Sequence, residues 1–249
     1  MTQLKALKLL VWALLLKDIV LWGFTTGAYE TLGIQPFRIT FQKFANGGDV
    51  SGVSGLLSII TNFPQQMLML AITGHVLVAV ARFAGFRLLR NTCRPLSART
   101  IAEFWNRYFY YFKELLAHVY FYPTYVRCFK RHPRLRIAFA TFVAAGVGNF
   151  MYHFMVNFAN LDLAQLGLIE ALRRTQTYAF YCLLLVTGIV VSQLRVRKPD
   201  AIAGWWRGQV LPSLGVVAFF TLLLVFDGPY RHLPLVLHLK FLLHVFGLS

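Results

Sequence analysis

The sequence predicts an all-α integral membrane protein of about six spans, and three observations support that prediction. Apolar residues fill 57% of the 249 positions and charged residues only 14%, against roughly 45–50% and about 25% in a soluble domain. Mean hydropathy is +0.58. Polar residues gather in short links between apolar stretches of membrane length. There is room for about six helices of roughly 20 residues and for no separate soluble domain, so residues 1–249 read as a single membrane domain.

The net charge is +16. Nucleic acid is not the expected partner, because the Lys and Arg residues sit at helix ends and no binding fold has room. In a membrane protein such clusters mark cytoplasmic links beside anionic lipid. Cys93, Cys128 and Cys182 are far apart and odd in number, so they offer neither a disulfide framework nor a zinc spacing. No HExxH, P-loop, GxSxG or CxxC motif occurs, and no metal site is expected.

The first span is expected at Leu9 to Thr26. Lys5 and Lys8 before it imitate a signal peptide, but Lys17-Asp18 interrupts the apolar run and no small-x-small site follows, so it reads as a retained helix. Gly27 to Asn62 reads as a connector, with Gly33, Pro36 and Asn46-Gly47-Gly48-Asp49 as breakers. Within it Phe37, Ile39, Phe41 and Phe44 suggest an interfacial segment, and Val53 to Ile60 is too short to span. The second span is expected at Gln65 to Phe83, the third at Leu135 to Phe158, the fourth at Thr177 to Leu194, the fifth at Val210 to Phe226 and the sixth at Leu233 to Phe246. Pro64, Pro212 and Pro234 each fall near an expected helix start, where a missing N–H does least harm. The largest basic cluster runs from Arg87 to Arg136, and a second is Arg195-Val196-Arg197-Lys198-Pro199. Both belong on the cytoplasmic side, which puts both termini inside and the turn with Asp162 and Glu170 outside.

Chemistry concentrates between Ser97 and Asn160. Thr100 to Tyr122 carries Glu103 with Arg107 and Glu114 with His118 at four-residue spacing, beside a stripe of Phe104, Tyr108, Tyr111, Phe112 and Leu115. It is too polar for an ordinary span and fits an interfacial or re-entrant helix between the second and third spans. In the third span Asn149, His153 and Asn157 recur every four residues, so they share one face about 6 Å apart along the axis. Gly146 and Gly148 leave room there for another backbone to approach. Polar groups at this depth turn toward protein or a water-filled cavity. An amide from Asn149 or Asn157 accepting the Nδ1–H of His153 would leave Nε2 free as a base. His75, His232, His238 and His244 are weaker candidates, with no ligand spacing between them.

The order Ser97, Glu103-Phe104-Trp105-Asn106-Arg107-Tyr108, Tyr122-Pro123 and Tyr152-His153 resembles the membrane-bound O-acyltransferase family, in particular its bacterial alginate O-acetyltransferase and D-alanyl transfer branch. That family carries Ser-Phe-x-x-Phe-Trp-x-x-Trp-His/Asn, then Tyr-x-Pro, then a membrane-embedded His, usually in Trp-His-Gly. The likeness covers residues 97–160. The chain departs from it where Phe109 stands for the usual His or Asn, Tyr152 for Trp and Phe154 for Gly, among other positions.

The resemblance implies transfer of an acyl group from a cytoplasmic thioester donor to a hydroxyl, in a bacterial inner membrane. The donor would be acyl-CoA or an acyl-carrier-protein thioester, with no bound cofactor, and the acceptor a hydroxylated glycan or lipid. His153 would be the general base, with Asn106 and Asn149 orienting it or stabilising the oxyanion. Trp105, Arg107, Tyr108, Tyr152 and Asn157 would line the substrate path. A non-catalytic relative serving as scaffold to a second protein subunit is the alternative reading, and a transport or flippase subunit is another.

Overall fold

The computed structural model describes residues 2–160, 167–195, 205–228 and 230–248. The turn at Asp162, the link through Arg197-Lys198-Pro199, Pro229 and the side chain of Asn157 lie outside them. Every regular element among the described residues is helical. Four helices are long and apolar enough to cross a membrane: Gly52–Phe83, Pro133–Val156, Gln176–Leu194 and Trp206–Phe226. Large apolar side chains such as Leu77 and Leu211 stand exposed on them, as lipid-facing residues do.

The residues divide into two compact units. The first comprises the chain up to Arg94, Arg107–Tyr110 and the residues from Leu239 onward. Helix α1 (Thr2–Asp18) runs on as a wider-wound π-helical stretch, Ile19–Thr31, and its buried stripe of Ala6, Leu9 and Ala13 packs along α3. Helix α2 is Phe37–Ala45 and α3 is Gly52–Phe83. The sequence expectation of a connector out to Asn62 is corrected here. Ser51 caps α3 by accepting from the Ser54 N–H at 3.2 Å, and the helix continues for 32 residues, about 48 Å at 1.5 Å per residue. Pro64 therefore lies inside this helix rather than at its start. It withdraws one backbone donor from a helix that packing keeps in place.

The end of the last helix belongs to this unit. Phe241 is fully buried among Phe37, Phe41 and Phe44, with ring centroids 5.2–6.0 Å away. Gly52 and Gly55 sit against Val245, and the His244 Nε2 meets the Val50 carbonyl at 2.5 Å. His244 is thus occupied in joining helix ends.

The second unit comprises Pro95–Asn106 and Tyr111–His238. The expected interfacial helix is several pieces: α4 (Ile101–Tyr108), α5 (Tyr110–Leu116), a π turn Ala117–Phe121 and α6 (Tyr122–Arg127). The remaining helices are α7 (Pro133–Thr141), α8 (Asn149–Asn160), α9 (Leu168–Arg174), α10 (Gln176–Leu194), α11 (Leu211–Leu223) and α12 (Leu235–Val245). Helices α7 and α8 are joined without a break through the π turn Phe142–Gly148, where the Asn149 N–H reaches back to the Ala144 carbonyl.

Helix α10 is the hub, touching α7, α8, α9, α11 and the Phe142–Gly148 turn. The small residues of this unit are contact points. A Cβ on Gly188 would meet Phe219 at 2.8 Å and Ile101 at 2.9 Å, and one on Gly148 would meet the Tyr120 ring at 2.6 Å. The close approach expected at Gly146 and Gly148 is made to the side chains Val186 and Tyr120 of this same unit.

Buried hydroxyls tie the helices at their ends. Thr177 Oγ donates to the Leu233 carbonyl at 2.7 Å, and Thr177 has no exposed surface. Thr177→Val keeps the shape and orphans that carbonyl, so we expect about 1 kcal/mol of destabilisation, read as a lower melting temperature in detergent.

Candidate functional site

The second unit holds the polar features of the sequence in two adjoining places. The first is a pocket of about 240 Å³, with Trp105 and Asn106 from α4, Lys113 and Glu114 from α5, and Thr141, Ala144 and Ala145 from the third span among its lining residues. Phe104 anchors α4 by stacking on Phe220, with centroids 4.0 Å apart. The start of α4 is capped by Thr100, whose Oγ accepts from the Glu103 N–H, while the Glu103 carboxylate reaches one residue further back and accepts from the Arg99 N–H. Across the pocket wall Thr141 donates to the Gln193 amide oxygen at 2.9 Å. Glu114 touches Lys113 and lies 3.7 Å from the His118 Nδ1, so the expected Glu114–His118 pairing is present.

The second place is His153, about 12 Å along the helix axis from Ala145 on the pocket wall. Its imidazole is half-buried among three rings: Tyr178 at 4.9 Å, Tyr152 at 5.1 Å and Phe112 at 5.7 Å between centroids. Phe112 stands between the two places, because its other edge meets Trp105 at 6.2 Å. One turn below, Asn149 is 1% exposed and accepts a hydrogen bond from the Tyr178 hydroxyl at 3.2 Å. The Asn149 Nδ2 has no partner among the described residues. A donor left unmade in a dry interior costs about 1–3 kcal/mol.

Of the two amides expected to bond His153, Asn157 has its side chain outside the described residues, and Asn149 is linked to the imidazole indirectly, through Tyr178, which donates to the amide oxygen and sets its ring against the imidazole. Two further groups were not singled out from sequence. The Arg231 guanidinium lies 5.0 Å above the Tyr178 ring and pairs with Asp227 at 3.2 Å. Burial pushes the Asp227 carboxyl above its usual range, and Arg231 draws it part of the way back. The four-residue spacing of Asp227 and Arg231 was visible in the sequence, but it lies in a short loop where no helix was expected.

Trp105, Asn106, Asn149, Tyr152 and His153 thus fall in one unit. Arg107 and Tyr108 fall in the other, where the Arg107 guanidinium donates to the Arg94 carbonyl at 3.3 Å and the Tyr108 hydroxyl to the Gln66 carbonyl at 3.4 Å. His75 also lies there, on α3. His238 is fully buried against Phe226 with its Nδ1 at the Pro234 carbonyl, a packing role. Among the described residues no group of three or more His, Cys, Asp or Glu is placed to hold a metal ion, and all three cysteines are free thiols.

The class these observations define is a chain whose described regular elements are all helical, with four helices long and apolar enough to cross a membrane and a half-buried histidine on the same helical run as the wall of a pocket. No protein-family model, characterised protein or solved structure matches the chain significantly.

Proposed function

We propose that this chain is a short, divergent relative of the membrane-bound O-acyltransferases and moves an acyl group from a cytoplasmic thioester to a hydroxyl. The observation that carries the reading is His153, a half-buried imidazole one turn from the Asn149 amide, whose Nδ2 has no partner among the described residues, on a helix whose preceding turns line a pocket with Asn106, Lys113 and Glu114 in its wall. The resemblance of residues 97–160 to the family's motif order supports the same reading.

In this mechanism neutral His153 takes the acceptor hydroxyl's proton as its oxygen attacks the thioester carbonyl. The Asn149 Nδ2–H donates to the oxyanion that develops, then the carbon–sulfur bond breaks and the thiol leaves carrying the proton from His153. The thioester arm lies in the pocket beside Trp105 and Asn106, and Lys113 there attracts the donor's phosphates. Tyr152 borders the acceptor side. The donor is acyl-CoA or an acyl-carrier protein, and the acceptor is a hydroxylated glycan or lipid.

In the membrane we place six segments. Thr2–Thr31 is the first, the four long apolar helices follow, and α12 with residues 230–234 is the last. The basic links face the cytoplasm of a bacterial inner membrane, as do both termini. The pieces between α3 and α7 form the interfacial, re-entrant element. His153 then lies toward the outer face, suited to an acceptor arriving from outside.

The test is incubation of purified protein in liposomes with acyl-labelled thioester and a hydroxylated glycan. Label appearing in an alkali-labile ester supports the reading, and unreacted donor opposes it. Phe112 supplies a second test, because its ring is the wall between Trp105, which lines the pocket, and His153. Phe112→Ala removes that wall, so longer acyl chains are expected to gain on acetyl by about tenfold in kcat/KM. An unchanged chain-length preference argues against the path. The same wall favours, as a second reading, a non-catalytic scaffold completed by a partner subunit, in which neither wild type nor Phe112→Ala consumes donor.

A further inference from the structure

The loop after the fourth long apolar helix brings a charged pair onto the aromatic cage of His153, and helix packing alone does not require it. Asp227 and Arg231 keep about a quarter of their side chains exposed, 28% and 26%. An ion pair partly withdrawn from water contributes little net stability, and apolar side chains would fill the same space at no desolvation cost. The Arg231 guanidinium covers the face of Tyr178, a ring only 2% exposed that stacks on Tyr181 at 5.1 Å and also meets the Asn149 amide and the His153 imidazole.

The turn that presents Arg231 is itself well tied. The Asp227 N–H donates to the Leu224 carbonyl at 3.2 Å, the Arg231 N–H to the Gly228 carbonyl at 3.1 Å and the Leu233 N–H to the Tyr230 carbonyl at 2.9 Å. The Thr177–Leu233 bond fastens the same turn to the residue before Tyr178. A contiguous chain therefore runs from Asp227 through Arg231 and Tyr178 to both Asn149 and His153.

We propose that Arg231 is a positioning residue for the histidine site: by a cation–π contact it clamps the Tyr178 ring, which in turn fixes the Asn149 amide and one wall of the His153 cage. Asp227 fixes the guanidinium over the ring. Arg231 touches no reacting atom in this scheme. Its expected signature is a change in how His153 is held, with no change in how the thioester binds in the pocket. The placement of the ring is independent of the acyl-transfer reading, and only the kinetic consequence rests on it.

The experiment compares wild type with Arg231→Lys, which keeps a cation over the ring, and Arg231→Gln, which keeps a polar side chain without charge. Purified protein in detergent is treated with diethyl pyrocarbonate, and carbethoxylation of His153 is followed by peptide mass spectrometry. Arg231→Gln is expected to speed modification about tenfold and Arg231→Lys to stay within about twofold of wild type. Equal rates in the two variants would overturn the proposal, whether both are fast or both slow. A matching melting temperature for the pair shows that folding is not what differs.

In the acyl-transfer assay Arg231→Gln is expected to lower kcat about tenfold with the donor KM unchanged, and Arg231→Lys to restore most of it. Wild type without transfer activity removes the acyl-transfer reading, while the modification rates still decide the clamp. Active wild type with equal kcat in the two variants removes the clamp and leaves the acyl-transfer reading standing.

Discussion

Gly148→Val is expected to leave little folded protein in detergent, while Gly146→Ala, two positions away on the same turn, melts within a few degrees of wild type. The difference lies in what each face meets. A Cβ at position 148 would lie 2.6 Å from Tyr120 Cδ2 and 2.9 Å from two further ring atoms, so the whole ring must move. The ring belongs to the π turn Ala117–Phe121, which packs directly on Phe142–Gly148. Overpacking of this kind costs about 1–3 kcal/mol for one methylene and more for a branched side chain. At Gly146 the nearest atom is Val186 Cγ1 at 3.5 Å, an ordinary contact, and alanine there even recovers helix propensity of up to about 1 kcal/mol. Size-exclusion profiles and thermal melts of the two variants check the contrast. Restoration of Gly148→Val by Tyr120→Ala would identify the ring as the cause, and equal melting temperatures for Gly146→Ala and Gly148→Val would refute it.

The second large effect is expected at His153. Under the proposed mechanism His153→Ala removes the base placed at the acceptor, and general-base catalysis contributes about 10²–10⁴ in rate. The fold should survive, because the imidazole is only half-buried, Phe112 and Tyr152 stand on their own helices, and Tyr178 keeps its bond to Asn149 and its cover by Arg231. His153→Ala therefore separates chemistry from folding, to be read as ester product at unchanged oligomeric size. Asn149→Leu should act on the same step from the other side, lowering kcat with donor KM kept, since it removes the amide proposed to meet the oxyanion.

Much of the architecture was legible in the residues, and the failures have physical reasons. The third, fourth and fifth expected spans lie within a few residues of helices Pro133–Val156, Gln176–Leu194 and Trp206–Phe226, because unbroken apolar runs bounded by charge leave few alternatives. Pro64 misled the reading of the second span. Proline is a good stop signal in water, yet in α3 neighbouring packing keeps the helix running through it from Gly52. The split of Thr100 to Tyr122 at Phe109 was hidden, since that stretch keeps helical periodicity on both sides of the break.

Within the candidate site, His153 and Asn149 stood out because polar groups at membrane depth are rare. Tyr178 did not, because a tyrosine near a helix start reads as an interfacial anchor. Its hydroxyl bond to Asn149 and its cover by Arg231 depend on packing between α8, α10 and the loop at Asp227, which no local pattern encodes.

The most direct measurement is release of free thiol from an acyl thioester by the protein in liposomes, with and without a hydroxylated glycan, for wild type and His153→Ala. The account predicts release by wild type that depends on the glycan and falls to background in His153→Ala. Release that is the same in both proteins, or that ignores the glycan, would contradict it.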